Sequence, residues 1–267
     1  MTRKRLAVAV LSLLAALPGR IDVQAQRVQN GGQPRAPQLP RLGAPDPRAP
    51  RDPGTRRRGP QPLRQRRLFP PQDLGLLSAP DRDEWNKPDL IMDALGIADG
   101  AVVADIGAGG GWFTLRLARR VGPNGLVYAQ DIQPQMIEAI NRRVQQEGLS
   151  NVRTVLGTET DPRLPSGLDA ILIVDAYQEM DEPGRPEVLQ TLLRKMEQSL
   201  KPQGRLGVID FMPGSGGPGP SAEDRVSPDT VIAAVEAAGL QVQTREPVPP
   251  FQYLLVFGKA SAARAQY

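Results

Sequence analysis

The chain of 267 residues contains no cysteine and no histidine. These two absences exclude Ser-His-Asp triads, cysteine nucleophiles, zinc sites of the Cys/His type and iron–sulfur clusters. A metal site would have to be built from carboxylates alone, and the sequence shows no motif for one. We therefore predict no metal and expect chemistry that needs neither a thiolate nor an imidazole.

Acidic residues are scarce at the N-terminal end. The chain as a whole carries a formal net charge of +4. Residues 1–72 hold a charge of +12, whereas residues 73–267 hold a charge of −8. The basic character belongs to the N-terminal segment, and the rest of the chain is acidic.

Residues 1–25 have the features of a secretory signal peptide. A basic start precedes the apolar run Leu6–Leu17, and small residues then suit cleavage after Ala25. The run is shorter than the roughly 20 residues of an ordinary transmembrane helix, although it could remain as an uncleaved anchor. Export to the periplasm or medium, anchoring through that signal, and a cytoplasmic location with the signal unused all stay open.

Residues 26–72 are rich in arginine, proline and glycine and poor in large apolar side chains. Such a segment cannot bury enough apolar surface to offset its ordering entropy, so we predict a disordered linker. Its charge could attract an anionic surface, or it could serve as a solvated spacer. Nucleic acid is a disfavoured partner, because Phe69 alone could stack on a base.

Residues 102–113, VVADIGAGGGWF, place a glycine-rich turn between an apolar strand and an amphipathic helix. Glycines let the backbone approach a ligand closely, and a helix N-terminus offers unpaired N–H groups. The glycine spacing is G-x-G-x-G, whereas the dinucleotide fingerprint is G-x-G-x-x-G. Asp105, two residues before the first glycine, would repel a pyrophosphate but suits an amino group or a sulfonium. The segment therefore predicts a nucleotide-like cofactor that carries a positive charge.

This segment resembles motif I of the class I S-adenosylmethionine-dependent methyltransferases, whose pattern is hydrophobic-Asp-hydrophobic-Gly-x-Gly-x-Gly. The resemblance covers about residues 81–259 and is strongest to methyltransferases that act on small molecules. The stretch VGPNGLVYAQDI also resembles protein isoaspartate O-methyltransferases. The resemblance implies that S-adenosylmethionine is the cofactor and that its methionine part is held by Asp105, Gly107, Ala108, Gly109 and Gly111.

The elements downstream follow the order that the resemblance implies. A second strand, Leu126–Ile132, ends near Asp131, which in the family binds the ribose hydroxyls, and Ile132 would flank the adenine ring. Residues 151–164 fit a third strand and its exit loop, where Thr158, Glu159 and Asp161 are candidates to border the adenine, with Thr158 and Glu159 preferred. Asp131 could equally cap the helix that follows it.

A fourth strand, Leu168–Val174, leads to the residues that in the family face the methyl group and the acceptor. The candidates there are Asp175, Tyr177 and Glu179, in a position where many relatives carry a histidine. Methyl transfer tolerates that departure, because aligning two reactants can lower a barrier by ~7–11 kcal/mol and a base is needed only for a protonated nucleophile. Tyr177 could instead be a packed aromatic side chain, and Glu179 a solvated charge.

The remaining pattern alternates short apolar strands with amphipathic helices. Helices are predicted at 133–147 and 187–200 from apolar residues at a 3.6 period, then a turn and strand at 200–211, a helix at 228–239 and two final strands. This pattern predicts an α/β fold with a Rossmann-like, seven-stranded, mostly parallel sheet and helices on both faces, formed by residues 73–267. Residues 84–95, with Trp85, could cover the cofactor.

We predict a methyltransferase that transfers the methyl group of S-adenosylmethionine to a small-molecule acceptor. Two alternatives remain open at this point. One is an exported, non-catalytic module that binds S-adenosylmethionine or a related nucleoside on the same scaffold. The other is a nicotinamide-dependent oxidoreductase, which the acid at Asp105 and the glycine spacing disfavour.

Overall fold

The computed structural model describes residues 68–214 and 216–260. The predicted signal peptide and most of the predicted linker lie outside the described residues. Residues 68–72, which the predicted boundary assigns to the linker, are among the described residues, and a 3-10 helix begins at Pro71 and ends at Ser78. No helix among the described residues is both long and apolar enough to cross a membrane.

The described residues form seven strands and seven α-helices. The elements are α1 (Arg82–Asn86), α2 (Pro88–Ala94), β1 (Val102–Ile106), α3 (Trp112–Val121), β2 (Leu126–Asp131), α4 (Pro134–Gln146), β3 (Val152–Leu156), β4 (Leu168–Val174), α5 (Tyr177–Met180), α6 (Pro186–Ser199), β5 (Leu200–Phe211), α7 (Pro228–Ala237), β6 (Leu240–Val248) and β7 (Gln252–Lys259).

The strands form one sheet in the order β3-β2-β1-β4-β5-β7-β6. The first five strands of that order pair in parallel, and β7 runs antiparallel to both β5 and β6. Strand β4 is apolar along most of its length because it lies in the middle of the sheet and is covered on both faces. The predicted seven-stranded, mostly parallel sheet is confirmed.

The core is divided by the sheet into two apolar layers. One layer joins α6 and α7 to the sheet through residues such as Leu193 and Val231. The other joins α2 and α3 to the opposite face through residues such as Ile91 and Leu117. In α3 and α6 the apolar residues recur at helical spacing, so a single stripe meets the sheet and the opposite side is polar.

The topology determines where a ligand can bind. Strand order reverses between β1 and β4, so the helices that follow these two strands lie on opposite faces of the sheet. In open α/β sheets this switch point leaves a crevice beyond the carboxyl ends of the strands. The glycine turn after β1 and the loop after β4 both open into that crevice.

Candidate functional site

A cavity of about 1640 Å³ lies beyond the carboxyl ends of the parallel strands. Its walls come from the turn after β1, the end of β2, the loop after β4 and the end of β5. Residues near the start of the described chain close one side. Nearly all of the predicted site residues line this cavity: Asp105, Gly107, Ala108, Gly109, Asp131, Ile132, Thr158, Glu159, Asp175 and Glu179.

The glycine turn takes a conformation that side chains disfavour. Gly107, Gly109 and Gly111 have φ angles of 67°, 54° and 77°, in the left-handed region that glycine adopts without steric cost. A Cβ atom on Gly107 would lie 2.8 Å from the Cβ of Ala176. The turn therefore presents bare backbone to the cavity.

Gly111 plays a different part from the other two glycines. It does not line the cavity in the described structure, and it occupies the N-cap position of α3. A Cβ atom there would lie 3.3 Å from Cγ1 of Ile140 in α4. Gly111 therefore sets how closely α3 and α4 approach each other, which supports the turn from behind.

Asp105 at the end of β1 is a buried acid facing the cavity. Its side chain accepts a hydrogen bond of 2.6 Å from the Thr114 hydroxyl, and the residue is only 2% exposed. Burial raises the pKa of Asp105 to about 6, although the bond from Thr114 opposes that rise. A buried carboxylate with few partners attracts a cationic group, since a nearby positive charge stabilises its ionised form.

Asp131 at the end of β2 connects two turns. Its carboxylate accepts hydrogen bonds of 3.0 Å from the backbone N–H groups of Gly109 and Gln133. The first bond ties β2 to the glycine turn, and the second holds the start of α4. Asp131 thus lines the cavity and supports the start of α4, and its binding of the ribose hydroxyls stays a prediction.

The third strand contributes two polar residues to the same end of the cavity. The Thr158 hydroxyl accepts a hydrogen bond of 3.0 Å from the Asp161 N–H, which fixes the exit loop of β3. Glu159 lies 3.5 Å from Arg185 at the rim. Gln130, which the sequence did not single out, is buried beside the glycine turn and also lines the cavity.

Asp175 follows β4 and is the most constrained residue of the loop. Its φ angle of 57° is unusual for a residue with a side chain. Its carboxylate accepts a bond of 2.7 Å from Nη2 of Arg82 and one of 3.4 Å from Asn86. The amide of Gln252 donates a third, short bond. Burial raises the pKa of Asp175 to about 6 despite the neighbouring guanidinium.

The prediction that Tyr177 lines the methyl-transfer site is corrected by the structure. Its side chain is fully buried in the apolar layer under α6 and is absent from the cavity wall. Burial also raises the pKa of its hydroxyl. Because Tyr177 begins α5, the helical turn directs it toward the sheet and brings Gln178 and Glu179 to the cavity.

Two features of the cavity were not predicted from the sequence. The first is Arg82 in α1, whose guanidinium lies inside the cavity between Trp85 and Trp112. The second is the segment 68–78, hereafter the strap, which passes over the glycine turn. Leucines in that segment were the available hint, but they lie beside a proline-rich stretch that suggested a linker.

Residues 84–95, which the sequence predicts to cover the cofactor, lie only partly at the cavity. Trp85 does line the cavity and packs against Phe211 with ring centroids 5.8 Å apart. Most of α2 instead packs into the core through Ile91 and Met92. Among the described residues, no group of three or more acids is placed to hold a metal ion.

Comparison with known proteins agrees with this geometry. Residues 103–204 match a family model described as a methyltransferase domain. A solved structure of an S-adenosylmethionine-dependent methyltransferase from Aquifex aeolicus is similar with a TM-score of 0.66 and 28% identity, covering 71% of this chain and 98% of that one.

Two curated relatives show the same likeness. Nocamycin O-methyltransferase of Saccharothrix syringae is 29% identical over 46% of this chain and 42% of its own length. A ubiquinone/menaquinone biosynthesis C-methyltransferase of Hahella chejuensis is 30% identical over 48% of this chain and 49% of its own. The chain spans about half the length of these relatives.

The cavity fits the cofactor of such proteins on its own features. Gly107 and Gly109 line the cavity with backbone alone, since a Cβ atom on them would lie 2.8 Å and 3.0 Å from neighbouring side chains, and the buried acid Asp105 suits an ammonium group. Asp131 adds acceptor oxygens at the end of β2. Residues 103–204 match a methyltransferase domain, and the motif, topology and cavity agree with a class I S-adenosylmethionine-dependent methyltransferase.

Proposed function

We propose that this chain transfers the methyl group of S-adenosylmethionine to a small-molecule acceptor. One observation carries the proposal: a single cavity reaches from Asp105 and the glycine turn to Asp175 and Glu179. A cofactor and an acceptor can therefore meet inside one cavity. The names of the curated relatives, an O-methyltransferase of nocamycin and a quinone C-methyltransferase, support a small-molecule acceptor.

In this proposal one half of the cavity holds the cofactor. Asp105 binds the ammonium group of its methionine part, and the backbone of Gly107–Gly109 borders the same part. Asp131 accepts hydrogen bonds from the ribose hydroxyls. Ile132, Thr158 and Glu159 surround the adenine ring, as the positions of these residues beyond β2 and β3 allow.

The other half of the cavity positions the acceptor. S-adenosylmethionine, when bound, supplies an activated methyl group, so the protein's main task is alignment and the exclusion of water. Asp175 is held in one orientation by three donors. With its pKa raised to about 6, its carboxylate can accept a proton near neutral pH from an acceptor that needs to lose one. Glu179 is the second carboxylate at this end.

The first test is calorimetric titration of the full chain with S-adenosylmethionine, S-adenosylhomocysteine and NAD. We expect micromolar binding of the first two ligands and none of NAD. Asp105→Asn should weaken S-adenosylmethionine binding at least about tenfold, because a buried charge-assisted contact contributes ~1.5–3 kcal/mol. Asp229→Asn is the matched control, since Asp229 is exposed on α7 and pairs with Arg245.

The second test is transfer of a radiolabelled methyl group to pools of phenols, quinols and amines. Turnover with any pool supports an enzyme, and the pool identifies the acceptor class. Binding of S-adenosylmethionine without transfer to any pool would favour the exported binding module, which the absence of histidine in the chain suggests. A folded chain that binds neither adenosyl ligand would refute the proposal.

A further inference from the structure

The strap covers the cofactor end of the cavity through its leucines. A Cβ atom placed on Gly109 would lie 3.0 Å from Cδ1 of Leu77, and one on Gly110 would lie 3.2 Å from Cδ2 of Leu74. The strap therefore lies within van der Waals distance of the glycine turn. A ligand that entered or left along this side would have to displace it.

Polar contacts hold the strap at both of its ends. At the first end, the Phe69 N–H donates to Glu179 over 3.1 Å, and the Phe69 carbonyl accepts from Gln133 over 3.1 Å. At the second end, Arg143 donates to the Ser78 hydroxyl over 3.1 Å. The strap thus has anchors that do not involve Arg82.

Arg82 contacts the strap and the acceptor end of the cavity at the same time. Its Nη1 donates to the carbonyl of Leu77 over 2.7 Å, and its Nη2 donates to Asp175 over 2.7 Å. The side chain is 7% exposed and its guanidinium lies 4.3 Å from the centroid of the Trp112 ring. One rigid, planar group therefore connects a backbone carbonyl of the strap to the carboxylate that follows β4.

We propose that Arg82 is a positioning residue that couples the strap over the cofactor end to Asp175 at the acceptor end. The proposal rests on the proposed function, since it assigns the two ends to a cofactor and an acceptor. The guanidinium can satisfy both acceptors only when the strap is closed. Opening of the strap therefore loosens Asp175, and a change at Asp175 weakens the hold on the strap.

The contacts around Arg82 favour coupling over simple support. Asp175 also accepts hydrogen bonds from Asn86 and Gln252, which do not depend on the bond from Arg82. The strap keeps its anchors at Phe69 and Ser78. Neither element depends on Arg82 for its place in the fold, and what Arg82 adds is the connection between them.

Hydrogen exchange of the strap in the full chain tests this connection. Among the described contacts, Asp175 has none with the strap, whereas Arg82 contacts both, so Arg82 is the most direct link through which Asp175→Asn can reach the strap. We expect Asp175→Asn and Arg82→Lys each to speed exchange of the peptide covering 68–78 by about tenfold, within the range of local opening energies. The double variant should show no more than the larger single effect, because both changes break one link.

The chain's tryptophans provide a second readout. The chain has two, Trp85 and Trp112, and both lie beside Arg82. Stopped-flow fluorescence should therefore report release of S-adenosylhomocysteine from this place. We expect release to be about tenfold faster in Arg82→Lys, since a lysine cannot bridge the two acceptors as a planar guanidinium does.

Arg116→Lys is the matched control for both readouts. Arg116 lies 3.5 Å from the centroid of the same Trp112 ring and pairs with Asp83, but it is absent from the cavity wall. Its strap exchange and ligand release should equal those of the unaltered chain. Equal acceleration in Arg116→Lys would show that ring stacking matters and would overturn the coupling.

The remaining outcomes also separate the two proposals. Multiplicative effects of Arg82→Lys and Asp175→Asn on strap exchange would overturn the coupling while leaving the proposed function intact. An unaltered chain that fails to bind S-adenosylhomocysteine would overturn the proposed function and this inference with it. If Arg82→Lys does not fold, Asp175→Asn decides alone, and unchanged strap exchange there overturns the coupling.

Discussion

At the scale of single residues, three acids shielded from solvent lie at the carboxyl ends of parallel strands, and Asp105 and Asp175 also line the cavity. Asp105, Asp175 and Asp210 end β1, follow β4 and lie near the end of β5, and each has a pKa raised by burial. Asp105 and Asp175 accept hydrogen bonds that oppose this rise in pKa, so their ionised forms are favoured near neutral pH. Asp210 differs, because burial and the nearby charge of Asp175 raise its pKa to about 8.

Asp210 should make the stability of the fold depend on pH. Its folded pKa lies above its unfolded value, so its protonated form stabilises the folded state fully at pH below 4. That contribution is lost as pH rises from about 4 to 8. Asp210→Asn mimics the protonated acid and should remove this decline, leaving the variant more stable than the unaltered chain at pH 9 by at least about 1 kcal/mol.

Urea denaturation at pH 5 and pH 9 measures this effect. Asp229→Asn serves as the control, because Asp229 is exposed and its removal should leave the decline unchanged. An Asp210→Asn variant that loses as much stability between the two pH values as the unaltered chain would contradict the buried-acid explanation.

At the scale of elements, the spacing of apolar residues predicted the bounds of helices that pack along the sheet and of strands buried within it. The helix predicted at 133–147 is observed at Pro134–Gln146, and the strand predicted at Leu168–Val174 is observed with those bounds. Turn glycines were equally readable, since G-x-G-x-G implies positive φ angles that the structure shows. Tyr177 was misplaced because a four-residue helix such as α5 has too few positions to show a period.

Gly111 offers a test of how the glycine turn supports two helices. Gly111→Ala should lower the free energy of unfolding by more than Gly148→Ala, because both have positive φ angles but only Gly111 faces a packed neighbour. The backbone strain alone should cost about 1 kcal/mol at each site. The close approach to Ile140 should add about 1 kcal/mol at Gly111.

Thermal or urea denaturation of the two variants gives this difference directly. Gly148 is an apt reference, since a Cβ atom there meets nothing within 4 Å. Equal losses at both positions would mean that α4 moves to accommodate the extra atom.

At the scale of the whole molecule, the cavity belongs to several elements that are distant in sequence. Arg82, Asp175 and Gln252 meet although 77 residues separate the last two and 93 the first two. A ligand in the cavity should therefore stabilise the entire sheet and not one loop. By mass action, S-adenosylhomocysteine at 100 times its Kd should raise the free energy of unfolding by about 2.7 kcal/mol.

Calorimetric melting with and without S-adenosylhomocysteine checks this linkage. Hydrogen exchange should slow in the glycine turn and the strap when the ligand is present. It should stay unchanged in the turn at 147–150, none of whose residues lines the cavity. Uniform protection without a focus at the turn would contradict binding in this cavity.

The amino-acid sequence by itself determined most of the elements, the glycine turn, the resemblance to methyltransferases and the acids that follow the strands at the cavity. These features are local, since they depend on period, on spacing within a dozen residues and on which residue ends a strand. Only the tertiary structure decided that Tyr177 is buried, that the strap covers the turn, and that Arg82 reaches Asp175. These contacts join chain segments that are distant in sequence and are brought together by the folded sheet. A local sequence pattern does not contain that information.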